Sequence, residues 1–157
     1  MQVRGLFIDH GQAAARREAA ASAAMANELA IPIEFSTLLH GYRFDAGELI
    51  GRNAMLIFNA LFLSQGLPRV LALGIHAGTR YFDCSEAFLA STARLVREMT
   101  DGRVSLVAPF IAWSKKEISD YFAAAGLPVG LTYSCESGSD PVCGVCASCH
   151  DRKALGC

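Results

Sequence analysis

Four apolar stretches alternate with four helix-forming stretches along this chain, and that alternation constrains the fold more than any other feature. "VRGLFI" is a short apolar run closed by "DHGQ". Gln12 to Ala30 follows, rich in Ala with Arg, Glu, Met and Leu, and has helix propensity. "IEFSTL" after Pro32 alternates β-branched and aromatic residues as a strand does. Asn53 to Gln65 reads as a second helix, stopped by Gly66 and Pro68. "RVLALGI" is a continuous apolar run, the pattern of a strand buried on both faces of a parallel sheet. Glu86 to Met99 is a third helix, and "VSLVAP" a fourth strand. Ser114 and Glu117 form an S-x-x-E capping box that opens a helix reaching Ala125. Alternation of this kind predicts an α/β fold, a doubly wound parallel sheet with helices on both faces. Ligands in such sheets sit at the carboxyl ends of the strands. Here those ends are "DHGQ", "LHGYRF", "HAGTRYFDC" and "APFIAWSKK".

The chain has 157 residues, 52% of them apolar, which is enough for one domain with a real core. A net charge of −1 gives no basic footprint for DNA or RNA. The longest apolar stretch, Ala54 to Leu63, is interrupted by Asn59 and is too short to span a bilayer. No uninterrupted apolar segment marks a signal peptide among the first thirty residues. The expected setting is therefore the cytoplasm, with no membrane partner. Six cysteines in a reducing compartment point to metal or buried thiols rather than disulfides.

Four of the six fall within fifteen residues, at Cys135, Cys143, Cys146 and Cys149. A Cys-x2-Cys turn lets two thiolates meet one ion, and Gly144 suits the tight backbone between them. Four thiolates about 2.3 Å from one Zn²⁺ make a closed, structural tetrahedron with no open position for catalysis. Buried thiols, two disulfides, or His150 in place of one thiolate are the alternatives. A zinc knuckle can also bind single-stranded nucleic acid. Against that stand Glu136, Asp140 and Asp151, and the lack of an aromatic between Cys143 and Cys149. The expectation is an α/β body over residues 1–131 with a zinc clip over 132–157. Cys84 reads as a small buried residue and Cys157 as a frayed terminus.

"TYSCESGSDPVCGVCASCHDRKAL" resembles the C-terminal zinc motif of the 7-cyano-7-deazaguanine synthases, enzymes of queuosine biosynthesis in the PP-loop ATP-pyrophosphatase superfamily. Other pieces follow in the same order. "FIDHGQ" resembles the family's F-D-Y-G-Q, with His10 where tyrosine is usual. "GRNAMLIFNALFLSQG" resembles its G-R-N helix start. "YFDCSEAF" resembles Y-P-D-C-R, with Phe82 for proline and Ser85 for arginine. "APFIAWSKKEI" and "AGLPVGLTYSC" resemble its K-x-E-I element and its approach to the metal. The fold implied is that of the PP-loop, or adenine nucleotide alpha hydrolase-like, proteins. The activity implied is ATP-dependent, Mg²⁺-assisted conversion of 7-carboxy-7-deazaguanine and ammonia to 7-cyano-7-deazaguanine. It runs through an acyl adenylate and an amide.

The family's S-G-G-x-D-S phosphate loop has no counterpart here, since "SGSD" at Ser137 to Asp140 lies inside the cysteine cluster. The family's central first strand would be missing with it, exposing two rows of backbone groups. A late start, a natural relative without the loop, or a strand supplied by a homodimer partner or another chain would each account for this. A non-catalytic scaffold or binding subunit is the alternative function.

Candidate residues for the chemistry lie at the strand ends. Arg52 precedes a helix whose N–H groups would join its guanidinium in an anion site; a solvated arginine is the plain alternative. Lys115 stands at a helix start, unfavourably for the helix dipole, so either an anionic ligand or simple exposure explains it. Arg52 and Lys115 are the expected catalytic residues. Asn53 either N-caps its helix or bonds a ligand, and Asp83 either caps the third helix through Glu86 or binds a ligand. Asp9 and Gln12 follow the first strand, where the resemblance puts adenine; a turn-forming Asp beside Gly11 is the alternative. Asp9, Gln12, Asn53 and Asp83 are the expected substrate or nucleotide contacts. His10, His40 and His76 occupy strand-end loops without a pattern that singles out a base. Tyr81 and Phe44 could stack on a deazapurine, while Phe88 and Trp113 read as core.

Overall fold

A computed structural model of the chain describes residues 2–38, 41–45, 47–65, 68–76 and 78–157. His40 and Gly66, named above, lie outside the described residues. The elements alternate as expected: β1 (Gly5–Asp9), α1 (Ala15–Glu28), β2 (Ile33–Thr37), α2 (Arg52–Ser64), β3 (Val70–Ala72), α3 (Glu86–Met99), β4 (Ser105–Val107), α4 (Lys115–Ala124) and α5 (Ala147–Ala154). Short 3-10 turns occupy Phe82–Cys84 and Val129–Leu131. The chain is α/β with parallel strands. It divides into two compact units, residues 1–47 with 122–157, and residues 48–121.

In the first unit β1 and β2 pair in parallel, with Gly5 opposite Ile33 and Asp9 opposite Thr37. The connection is α1, whose Ala-rich face lets Ala26 approach the sheet closely enough to be buried with Ile8 and Ala14. A Cβ on Gly5 would lie 3.1 Å from the Ile33 side chain, so this register also fixes a small residue at the strand start. Phe7 and Phe35 meet across the pair, tilted, at 5.8 Å between ring centroids.

In the second unit β3 and β4 pair in parallel, Val70 opposite Ser105 and Ala72 opposite Val107. Here lies the larger core: Ile57 and Leu61 of α2, Phe88 and Val96 of α3, and Val104, Leu106 and Ala108 around β4. Each helix contributes residues four or eight apart, the spacing that puts them on one face. Ser85 caps α3, its hydroxyl accepting from the Phe88 N–H at 3.1 Å.

β3 corrects the expectation of a strand buried on both faces. The strand is short, Val70–Ala72, and Val70 is 45% exposed. Double-sided burial needs strand neighbours and helices on both sides. Among the described residues β3 has one strand neighbour, β4. The capping box is as the sequence predicts: Glu117 accepts from the Ser114 N–H at 2.7 Å, while the Glu117 N–H donates to the Ser114 hydroxyl at 3.2 Å. α4 ends at Ala124, and Gly126, at φ +68°, takes the left-handed position after it. No helix among the described residues is long and apolar enough to cross a membrane.

Candidate functional site

The four cysteines converge. Their sulfurs all lie within 4.8 Å of one another. A zinc tetrathiolate has sulfur–sulfur edges of about 3.8 Å, from Zn–S bonds near 2.3 Å. Cys143 and Cys149 already stand 3.9 Å apart. The donor set is four soft sulfurs, the chemistry that zinc prefers. Cys135 and Cys149 are buried, while His150 is exposed on α5 and outside the cluster.

Backbone groups hold the thiolates in place. The Cys143 N–H donates to Cys135 Sγ at 3.3 Å and the Glu136 N–H to Cys146 Sγ at 3.5 Å. The Ser137 hydroxyl lies 3.2 Å from Cys135 Sγ. The Cys143 N–H first, then the Ser137 hydroxyl, push the Cys135 thiol down to about 4. Cys143 is lowered by the Val145 and Cys146 N–H groups. Burial, then the Cys146 thiol, drives Cys149 up to about 12. Crowded sulfurs cannot all take negative charge unaided. A cation among them removes that conflict and displaces the remaining protons.

The cysteine segment is fastened on several sides. Cys146 is the N-terminal boundary of α5, which carries Cys149. Arg152 on α5 donates to Thr132 Oγ1 at 2.8 Å and to the Val129 carbonyl at 2.9 Å. Arg17 of α1 pairs with Asp140. Gly138, at φ +70°, sits where a Cβ would come within 2.5 Å of the Ala13 carbonyl. Tyr133 donates to the Ser139 carbonyl at 2.8 Å, and burial raises its phenol to about 12.

Asp9 and Gln12 are brought together at the end of β1, and both side chains serve the turn. Asp9 Oδ1 accepts from the Gly11 N–H at 2.9 Å, an Asx turn. Gln12 Oε1 accepts from the His10 N–H and Nε2 donates to Glu18, both at 2.9 Å. Gly11 has φ +90°, and a Cβ there would meet the Tyr42 carbonyl at 2.7 Å. The Gly11 carbonyl accepts from the Phe44 N–H at 2.8 Å, and the buried His10 ring meets Phe44 edge-on.

Arg52, Asn53 and Asp83 come together in the other unit. Gly51, left-handed at φ 79°, is the N-cap of α2 and gives no side-chain cap. Asn53 is therefore inside the helix and does not cap it. The cap comes from across the fold: the Asn53 N–H donates to Asp83 Oδ2 at 3.2 Å. This corrects two expectations at once. Asp83 does not cap α3, because Ser85 does. The first N–H groups of α2 also do not face outward together, since Arg52 N–H donates to the Leu49 carbonyl at 3.0 Å. Arg52, half-buried, carries its guanidinium at this turn. Lys115 is exposed at the first position of α4. Trp113 meets Phe110 and Tyr121 edge-on, and Arg80 lies over the Tyr81 ring at 5.9 Å.

Sequence reasoning missed the Asn53–Asp83 link because thirty residues separate the two. It also missed Glu136, whose capping of α5 follows no local pattern.

A parallel α/β body with a four-cysteine knuckle is the class that fold and site define. The model for queuosine biosynthesis protein QueC matches residues 20–155. A 7-cyano-7-deazaguanine synthase of Koribacter versatilis is 32% identical over 175 residues, covering 94% of this chain and 74% of that protein. One from Methanoculleus marisnigri is 36% identical over 65% of this chain and 48% of its own length. One from Methanothermobacter thermautotrophicus is 45% identical over 45% of this chain. This chain belongs to the QueC family of queuosine biosynthesis proteins, within the PP-loop superfamily. It spans about half the length, or less, of several of these relatives.

Proposed function

We propose that this chain serves ATP-dependent conversion of 7-carboxy-7-deazaguanine and ammonia to 7-cyano-7-deazaguanine, in the cytoplasm. The observation that carries this reading is the family match together with the converged cysteine tetrad. Arg52 pairs with the negative charge of the bound acid or of phosphate, where a planar fork suits two oxygens. Lys115 adds a second cation at the start of α4. Preorganised cations favour charge that develops as oxygen leaves the activated carboxyl carbon. Asp83 borders the Arg52 site. The turn built by Asp9 and Gln12 presents main-chain groups to a base, with Phe44 beside them. Cys135, Cys143, Cys146 and Cys149 hold one Zn²⁺ that cross-links the knuckle and takes no part in the chemistry. ATP brings Mg²⁺ with it.

A second reading is a non-catalytic scaffold or binding subunit, which would hold the acid without turning it over. β1 has one strand neighbour among the described residues, which supports a partner, a second copy or another chain, that supplies a strand. Titration of the chain with 7-carboxy-7-deazaguanine and separately with Mg-ATP tests both readings. Binding of the acid with weak or absent Mg-ATP binding is expected for the chain by itself. Micromolar Mg-ATP binding with turnover to the nitrile removes the scaffold reading. Binding of neither ligand removes the enzymatic one.

A further inference from the structure

Asn53 is 2% exposed, so a ligand in solvent does not reach it, yet every polar atom of its side chain is engaged. Nδ2 donates to the Asp83 carbonyl at 3.0 Å and to Cys84 Sγ at 3.5 Å. A carbonyl oxygen only accepts, so it fixes which end of the amide faces Asp83. Oδ1 is thereby turned toward Arg52, and it accepts from Arg52 Nε at 3.3 Å. The Asn53 main-chain N–H is held at the same time by Asp83 Oδ2. Two bonds to one residue of the segment after β3 thus lock the first turn of α2. The locked amide then grips the inner nitrogen of the guanidinium.

A bond at Nε is selective in its effect. Arginine has five N–H donors, and the pair on the terminal nitrogens makes the fork that meets two oxygens. Restraint at Nε fixes the plane of that fork and leaves the terminal pair for a ligand. Burial strengthens the effect, because a buried amide has no water to exchange for its partners. The helix N-cap does not do this work. Gly51 supplies no side chain, and a lysine at position 52 has no Nε–H to hold.

We infer that Asn53, clamped by Asp83, is the positioning residue of the Arg52 anion site, aiming the guanidinium rather than touching the ligand. This rests on the reading above that Arg52 meets the anionic group of the substrate. It assigns Asn53 a role through Arg52, in place of direct ligand contact.

A double-mutant cycle tests it by isothermal titration of 7-carboxy-7-deazaguanine into the full chain, with thermal unfolding of the same samples. Arg52→Lys removes the fork and keeps the charge. Asn53→Ala removes the acceptor. Asn53→Ser keeps a donor for the Asp83 carbonyl without reaching Arg52, and serves if Asn53→Ala does not fold. Either Asn53 variant is expected to weaken binding about tenfold in the parent chain, the scale of one hydrogen bond to a charged group. In the Arg52→Lys background the same change is expected to cost nothing more. Equal losses in both backgrounds make Asn53 merely structural and overturn the inference, as does no loss in the parent. A different signature marks failure of the underlying reading. There Arg52→Lys binds as the parent does, or the parent binds nothing, and the inference falls with it.

Discussion

Glu136 and Ser148 are joined twice: one carboxylate oxygen, Oε1, accepts from the Ser148 N–H at 3.1 Å and from its hydroxyl at 2.8 Å. The residue after the first cysteine thereby caps the helix that carries the fourth. A negative group at a helix N-terminus is stabilising on its own account. Here it also ties the two ends of the metal-binding segment together.

The tetrad should therefore hold one Zn²⁺ per chain. Elemental analysis of the purified protein is expected to show it, and cobalt exchange should give thiolate-to-metal charge-transfer bands. Cys135→Ser or Cys149→Ser should lose the metal, whereas Cys84→Ala should keep it. Binding should release protons, because the Cys149 thiol is raised by burial and must ionise to ligate. A folded chain free of zinc, with no sulfur bands in the cobalt form, would refute the assignment.

Glu136→Ala should loosen the knuckle without removing a ligand. Loss of one helix cap costs about 1 kcal/mol. Zinc should still bind, and chelator should strip it faster than from the parent. Unchanged chelation kinetics would show that the cap contributes nothing to the site.

Gly138→Ala should destabilise the first unit by roughly 1–3 kcal/mol. The added Cβ meets the Ala13 carbonyl at 2.5 Å, and φ is +70°. Gly144→Ala is the control, since its φ is +73° but nothing lies within 4 Å of its added Cβ. Denaturant unfolding separates contact from backbone strain: the difference between the two variants is the contact. Equal midpoints would mean that the knuckle does not press on the start of α1.

Glu117 supplies the pH dependence. Its carboxyl lies below the ordinary carboxylate value because it accepts from the Ser114 N–H and hydroxyl. A lowered folded value means that the capping contribution is complete above the ordinary carboxylate pKa. It disappears as pH falls through the lower, folded one. Amide protection in the first turn of α4, exchange taken relative to the unfolded chain at the same pH, should fall as pH drops across that acid window in the parent. Glu117→Gln should flatten the profile. Protection that stays constant with pH in the parent would contradict the cap.

Elements with local signals were legible in the sequence. α3 runs from Glu86 to Met99 as read, and the Ser114–Glu117 box opens α4 as read. Helix starts are written in residues three or four apart, which chain order alone brings together. β3 is shorter than its pattern implies: "VLALGI" is apolar throughout, but hydrophobicity does not say which neighbours a strand has. The strand formed is Val70–Ala72, because its extent depends on β4 thirty-five residues away.

The cysteine spacing by itself determined that four sulfurs could share one ion, since fifteen residues closed by two Cys-x2-Cys turns can hardly keep them apart. Tertiary structure alone decided what Asn53 and Asp83 do. Each reads as either a helix cap or a ligand contact until the fold lays one against the other. Short-range geometry follows from the covalent chain. Contacts across thirty residues exist only once apolar burial has chosen which segments meet.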